Sequence, residues 1–172
     1  MRACLLLLAV TLGGCVWTQP LPDAWPDVSS AEGATCDWIN GVYYDKGESG
    51  TSNKPSLSRM LDWSEEKASP ETLSITYVSG ASLVVVGGSD ASSFSHVPPS
   101  SQFSCVDGTL RISRSVGINR EGVLGYENVT HLLYPANGFL IVKSTTSGVG
   151  IVLLIPVVGS YTYYYRFARA TP

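Results

Sequence analysis

Leu73, Ile75 and Tyr77 alternate with Ser74 and Thr76, and Val129, His131 and Leu133 repeat the same period of two further on. That period marks a strand with one face buried, because successive side chains point to opposite sides of a pleated backbone. From Cys36 the chain keeps returning to it. Trp38 to Tyr44 opens the series, and Leu83 to Val86 follows across a Ser79-Gly80 turn. Phe103 and Cys105 begin another strand, Asp107-Gly108 supplies a hairpin turn, and Leu110 and Ile112 continue on the return. Asn137-Gly138 is a second hairpin signal before Phe139 to Val142. Tyr161, Tyr163, Tyr165 and Phe167 share one face of the last strand, with Thr162, Tyr164 and Arg166 on the other, and this strand is expected to close the core. Gly148 to Val158 is almost wholly apolar and reads as a strand buried on both faces. Broken by Pro156, it is too short for the roughly 20 residues of a spanning helix.

The stretches between these runs are polar. Lys46 to Pro55 reads as an exposed loop, a Gly-rich link separates Ile112 from Val129, and Gly87 to Gln102 reads as a long surface loop. Ser56 stands before Leu57, Met60 and Leu61, whose helical spacing predicts one short helix capped by the serine. The sum is an all-β fold: an antiparallel meander of about eight strands, as an up-and-down barrel or a two-sheet sandwich, with one short helix.

Composition supports that picture and narrows the partners. The chain has 172 residues, enough for one domain with a proper core. Its 17 Gly, 10 Pro and 9 Tyr suit strands joined by tight turns. A net charge of -3 without a basic cluster leaves no footprint for nucleic acid, which is excluded as an expected partner.

The amino terminus carries a separate message. Met1-Arg2 gives one positive charge, Ala3 to Thr11 an apolar stretch, and small residues follow, the three-part layout of a secretory signal. Leu12-Gly13-Gly14-Cys15 resembles the lipobox of bacterial lipoproteins. That resemblance implies a diacylglycerol on the Cys15 thiol, cleavage by lipoprotein signal peptidase just before it, and acylation of the new amino terminus. It divides the chain into a signal peptide (1–14), a lipidated extended tether (15–35) and a single β-rich domain (36–172). Pro20, Pro22, Pro26 and Gly33 suit a tether, while Trp17 and Trp25 are open to either the lipid interface or packing on the domain. Enterobacterial lipoproteins with Asp after the cysteine stay in the inner membrane; Val16 holds that place here, so the resemblance implies a periplasm-facing position on the outer membrane. The run from Cys36 through Ile39, Gly41, Tyr43 and Gly47 to Pro55-Ser56-Leu57 and Leu61 also resembles the opening of small β-rich proteobacterial lipoproteins, a likeness that implies no activity.

With Cys4 in the signal and Cys15 used by lipid, Cys36 and Cys105 remain, and in an exported chain they are expected to form a disulfide. No metal site is expected, since two Cys and two His (His96, His131) lack the paired spacing that zinc needs. Catalytic patterns are thin. Ser64 to Lys67 forms an S-x-x-K, followed by Ser89-Asp90-Ala91 and Lys143-Ser144-Thr145, but the second motif lacks its Asn and the third its Gly. Glu65-Glu66, Glu121 and Glu127 read as a solvated face, and His131 as a hydrogen-bonded core histidine. The expectation is therefore a lipid-anchored envelope protein without catalysis or cofactor, interacting with another envelope protein or the cell wall. The alternative is a lipocalin-like carrier of a small apolar ligand.

Overall fold

A computed structural model of the chain describes residues 14–28, 35–51, 54–61, 70–78, 82–87, 94–96, 102–120, 123–152 and 154–170. Among these residues the protein is mostly strand, in two sheets. The small sheet holds β2 (Gly41–Tyr44), β4 (Thr72–Val78), β5 (Ser82–Gly87) and β6 (Phe94–His96) in that order. The large sheet runs β1 (Cys15–Thr18), β11 (Ile155–Ala168), β10 (Phe139–Val152), β9 (Val123–Ala136), β8 (Thr109–Arg120) and β7 (Phe103–Val106). The two-residue β3 (Glu48–Ser49) also pairs with β11.

The sheets pack face to face over one core. Leu73, Ile75, Leu83 and Val85 from the small sheet meet Leu110, Leu133, Leu140, Val142 and Phe167 from the large one. Of the two architectures expected, the sandwich is present and among the described residues no closed barrel forms; the space between the sheets is filled by side chains. The Cys36–Cys105 disulfide is present and joins the 3-10 turn Cys36–Ile39, which feeds β2, to β7 in the other sheet. Helix α1 (Leu57–Met60) has Ser56 as its cap, the hydroxyl accepting from the Arg59 amide at 3.4 Å. The fully buried Asp45 carboxylate accepts from the Ser56 hydroxyl and, at 2.7 Å, from the Ser58 amide, fixing α1 to the end of β2.

Several expectations need correction. The meander is not wholly antiparallel, because β1 pairs in parallel with β11, Cys15 opposite Gly159. Thus the first residues of the expected tether form an edge strand, and Trp17 and Trp25 pack on the domain, Trp17 5.0 Å from the Tyr163 ring and Trp25 under the Arg166 guanidinium. The Gly-rich link is strand: β8 and β9 pair continuously from Leu110–Leu133 to Arg120–Val123. Lys46 to Pro55 contributes β3, and Gly87 to Gln102 contains β6. The largest departure is Gly148 to Val158. It is not one strand buried on both faces but the far end of the β10–β11 hairpin, with Val152 paired to Ile155 and most side chains open to solvent. Among the described residues the small sheet packs on the half of the large one that holds Leu110, Leu133, Leu140 and Phe167, and this end projects beyond it.

A groove and an apolar end on the large sheet

Cross-strand register sorts the inner face of the large sheet into rows. Phe167 and Leu140 lie deepest, then Tyr165, Val142, Leu133 and Leu110. The next row is Tyr163, Ser144, His131 and Ile112, and the next Tyr161, Thr146, Val129 and Arg114. Moving outward the face therefore changes from apolar to polar where the small sheet ends. The polar rows floor a groove of about 540 Å3, walled by Lys46, Lys54 and Arg59 from the chain around α1.

His131 is 4% exposed, and neither ring nitrogen has a hydrogen-bond partner. Burial, with the Arg114 guanidinium adding to it, pushes its pKa down to about 4. At neutral pH the ring is thus an uncharged imidazole, with one nitrogen able to donate and the other to accept. Ser144 sits directly across the strand pair from His131, yet no hydrogen bond joins them, so the imidazole does not activate that hydroxyl in this structure. Tyr161, Tyr163 and Tyr165 line the groove as a ladder, the last two stacked at 6.2 Å. Burial and the neighbouring tyrosines raise the Tyr165 pKa, so its hydroxyl keeps its proton. Lys54, Arg59 and Arg114 bring positive charge beside the lining carboxylate of Glu127, while Lys46 is paired with the buried Asp45 carboxylate at 3.4 Å. The groove offers ring faces, cations and an unused imidazole, which suits a ligand with flat apolar faces and negative groups.

At the other end of the same face lies Cys15, exposed and unpaired, while Cys36 and Cys105 are bonded to each other. Beside it is an apolar trough of about 450 Å3, floored by Gly148, Gly150 and Gly159 and walled by Ile118, Ile155 and Val157. Among the described residues no helix is long and apolar enough to cross a membrane.

The other candidates of the sequence are scattered or out of view. Ser64 to Lys67, Ser89 to Ala91 and Glu121 lie outside the described residues, as do residues 1–13 of the signal. Lys143 and Thr145 point to the opposite sheet face from Ser144, next to Tyr164 and Thr162. His131 is buried as expected, but without the expected hydrogen bonds. Sequence reasoning missed the groove itself. Its one legible signal was the Tyr-x-Tyr-x-Tyr alternation, which was assigned wholly to closing the core. No protein-family model, curated protein or solved structure matches this chain.

Proposed function

We propose that the chain is a lipid-anchored protein of the bacterial envelope, held by acyl chains on Cys15 to the periplasmic side of the outer membrane, and that it acts as a non-catalytic binding module. The observation that carries this reading is the division of the cysteines. Two are joined across the sandwich, and the one that ends the L-G-G-C motif is exposed, at the edge of the sheet, where a lipid can leave the domain without crossing the core. Several acyl chains at about 0.8 kcal/mol per buried methylene would hold it stably.

The groove favours the cell wall over another protein as the partner. Sugar rings would lie on the tyrosine ladder, and the carboxylates of the wall's peptide stems would meet Lys54 and Arg59. A carrier of apolar cargo finds less support, since the lumen it needs is filled.

The test is to express the full chain in a bacterium with a labelled fatty acid and follow both label and location. The wild type should carry label and sediment with outer membranes, and an inhibitor of lipoprotein signal peptidase should leave the signal attached. Label retained by Cys15→Ser would sink the anchor. Purified chain should also co-sediment with isolated cell-wall sacculi, and Tyr163→Ala with Arg59→Glu should abolish this. Sedimentation unchanged in that double variant would reject the groove as the wall-binding surface.

A further inference from the structure

The projecting end of the β10–β11 hairpin is built unlike the rest of the surface. No charged residue stands between Lys143 and Arg166. Register puts Val149, Ile151 and Val158 on the outer face and Ile155 and Val157 on the inner face, so both sides are apolar, and all five are exposed. At the tip Leu154 is 93% exposed and has φ of 71°, a left-handed conformation that a leucine adopts at a cost. A turn exposed to water would ordinarily carry Gly or Asn there. A soluble domain gains nothing from this arrangement, and contiguous exposed apolar surface of this kind marks a contact with protein or membrane.

The position of the hairpin says which. Cys15 pairs with Gly159, on the same strand and five residues from the tip. At about 3.3 Å per residue, the tip reaches roughly 16 Å past the lipid attachment point. A chain anchored at Cys15 therefore carries this hairpin against the bilayer. Aromatic side chains stand near the attachment level: Trp17 and Tyr161 face each other across β1 and β11, and Tyr126, 68% exposed, pairs with Val149. Trp and Tyr favour the depth of the headgroups.

We propose that the hairpin tip, Val149–Val158, enters the bilayer beside the lipid on Cys15 as a second, proteinaceous anchor. The proposal rests on the lipid-anchor reading above. Among the described residues the outer edge of β11 over Ile155–Val158 has no strand partner, since β1 begins only opposite Gly159. Bare backbone groups are costly in hydrocarbon, which limits entry to the boundary of headgroups and acyl chains, about 5–10 Å deep. Leu154, Ile151 and Ile155 lead. The acyl chains leave from the trough side of the same hairpin, so lipid and tip enter the membrane together.

The experiment uses the full chain, lipidated in a bacterium, purified and placed in vesicles of phosphatidylethanolamine and phosphatidylglycerol. A carbene-generating reagent dissolved in the hydrocarbon labels whatever reaches it, and peptide mass spectrometry locates both label and acyl chains. The expected result is label on the peptide spanning Val149–Val158, falling at least fivefold in the Ile151→Asp, Leu154→Asp double variant while the acyl mass at Cys15 stays. An acylated amino-terminal peptide with an unlabelled hairpin overturns the proposal and leaves the lipid anchor standing. So does an unlabelled hairpin that cross-links to a second copy along β11. An amino-terminal peptide without acyl mass overturns the anchor reading instead, and labelling of the tip then still decides the hairpin by itself.

Discussion

His131 shows how one buried residue can tie stability to pH. Its imidazole stands in the row between the apolar core and the polar groove, opposite Ile112 on β8 and Ser144 on β10, with the Arg114 guanidinium of the next row near enough to act on it and no hydrogen-bond partner on either nitrogen. In the unfolded chain a histidine titrates near 6.5, whereas here the value is about 4, so the unfolded state binds the extra proton first. The sign follows: the contribution is fully present above about pH 6.5 and is lost as pH falls toward 4. Between pH 7 and pH 5 the wild type should lose about 2 kcal/mol from this group, measured by urea unfolding at the two values. His131→Leu should flatten that slope. Equal slopes in wild type and His131→Leu would show that the imidazole is not held neutral by burial.

At the level of elements, the sequence disclosed what local chemistry controls. Period-two alternation located β4, part of β9 and the inner half of β11, and the turns at Asp107-Gly108 and Asn137-Gly138 stand where their residues required, with positive φ at Asp107, Gly108 and Gly138. Ser56 announced α1. What failed was the distal ribbon. A charge-free run such as Gly148–Val158 looks alike whether it is buried by protein or open to its surroundings, and only the fold shows that, among the described residues, no second sheet reaches it. The turn hidden inside it, around Leu154, carries no Gly, Asn or Asp to give it away. Nor could spacing show that Cys15–Thr18 would add to β11, because parallel pairing across such a distance leaves no local mark. In the ribbon the glycines do the fitting. A Cβ on Gly125 would come within 2.4 Å of the Val149 carbonyl oxygen and 2.7 Å of the Gly150 Cα, both backbone atoms that cannot swing aside. Gly125→Val should therefore part β9 from β10 at this end alone. Hydrogen exchange should quicken at Leu124, Tyr126 and Val149 by tenfold or more, with the amides of Leu133 and Val142 unchanged. Exchange that quickens uniformly would mean that ribbon and sandwich unfold as one unit.

At the scale of the whole molecule, two ends of different chemistry share four long strands. One end is a sandwich closed by a disulfide of sequence separation 69, whose removal in Cys36→Ser with Cys105→Ser should cost about 4 kcal/mol in the chain-entropy account, read as a lowered unfolding midpoint. The other end is the apolar ribbon with Cys15. If Cys15 carries lipid and the tip enters the bilayer, as proposed, both contacts lie at that end, and the long strands should stand away from the membrane rather than lie along it. From Leu154 to the Asn137-Gly138 turn the strands span about 45 Å at 3.3 Å per residue, allowing for twist. The groove lies roughly 25 Å from the tip on the same count, clear of the headgroups when the tip is about 10 Å deep, and open toward the periplasm. This arrangement can be measured directly. With Cys15 lipidated and Cys36 bonded to Cys105, a new cysteine at Tyr126 or Asn137 provides a selective dye site in the mature chain. Energy transfer from the dye to acceptor-labelled lipids should be strong for Tyr126→Cys and weak for Asn137→Cys. Equal transfer from both sites would mean that the sheet lies flat on the bilayer, which would bring the groove to the headgroups and remove the cell wall as its natural partner.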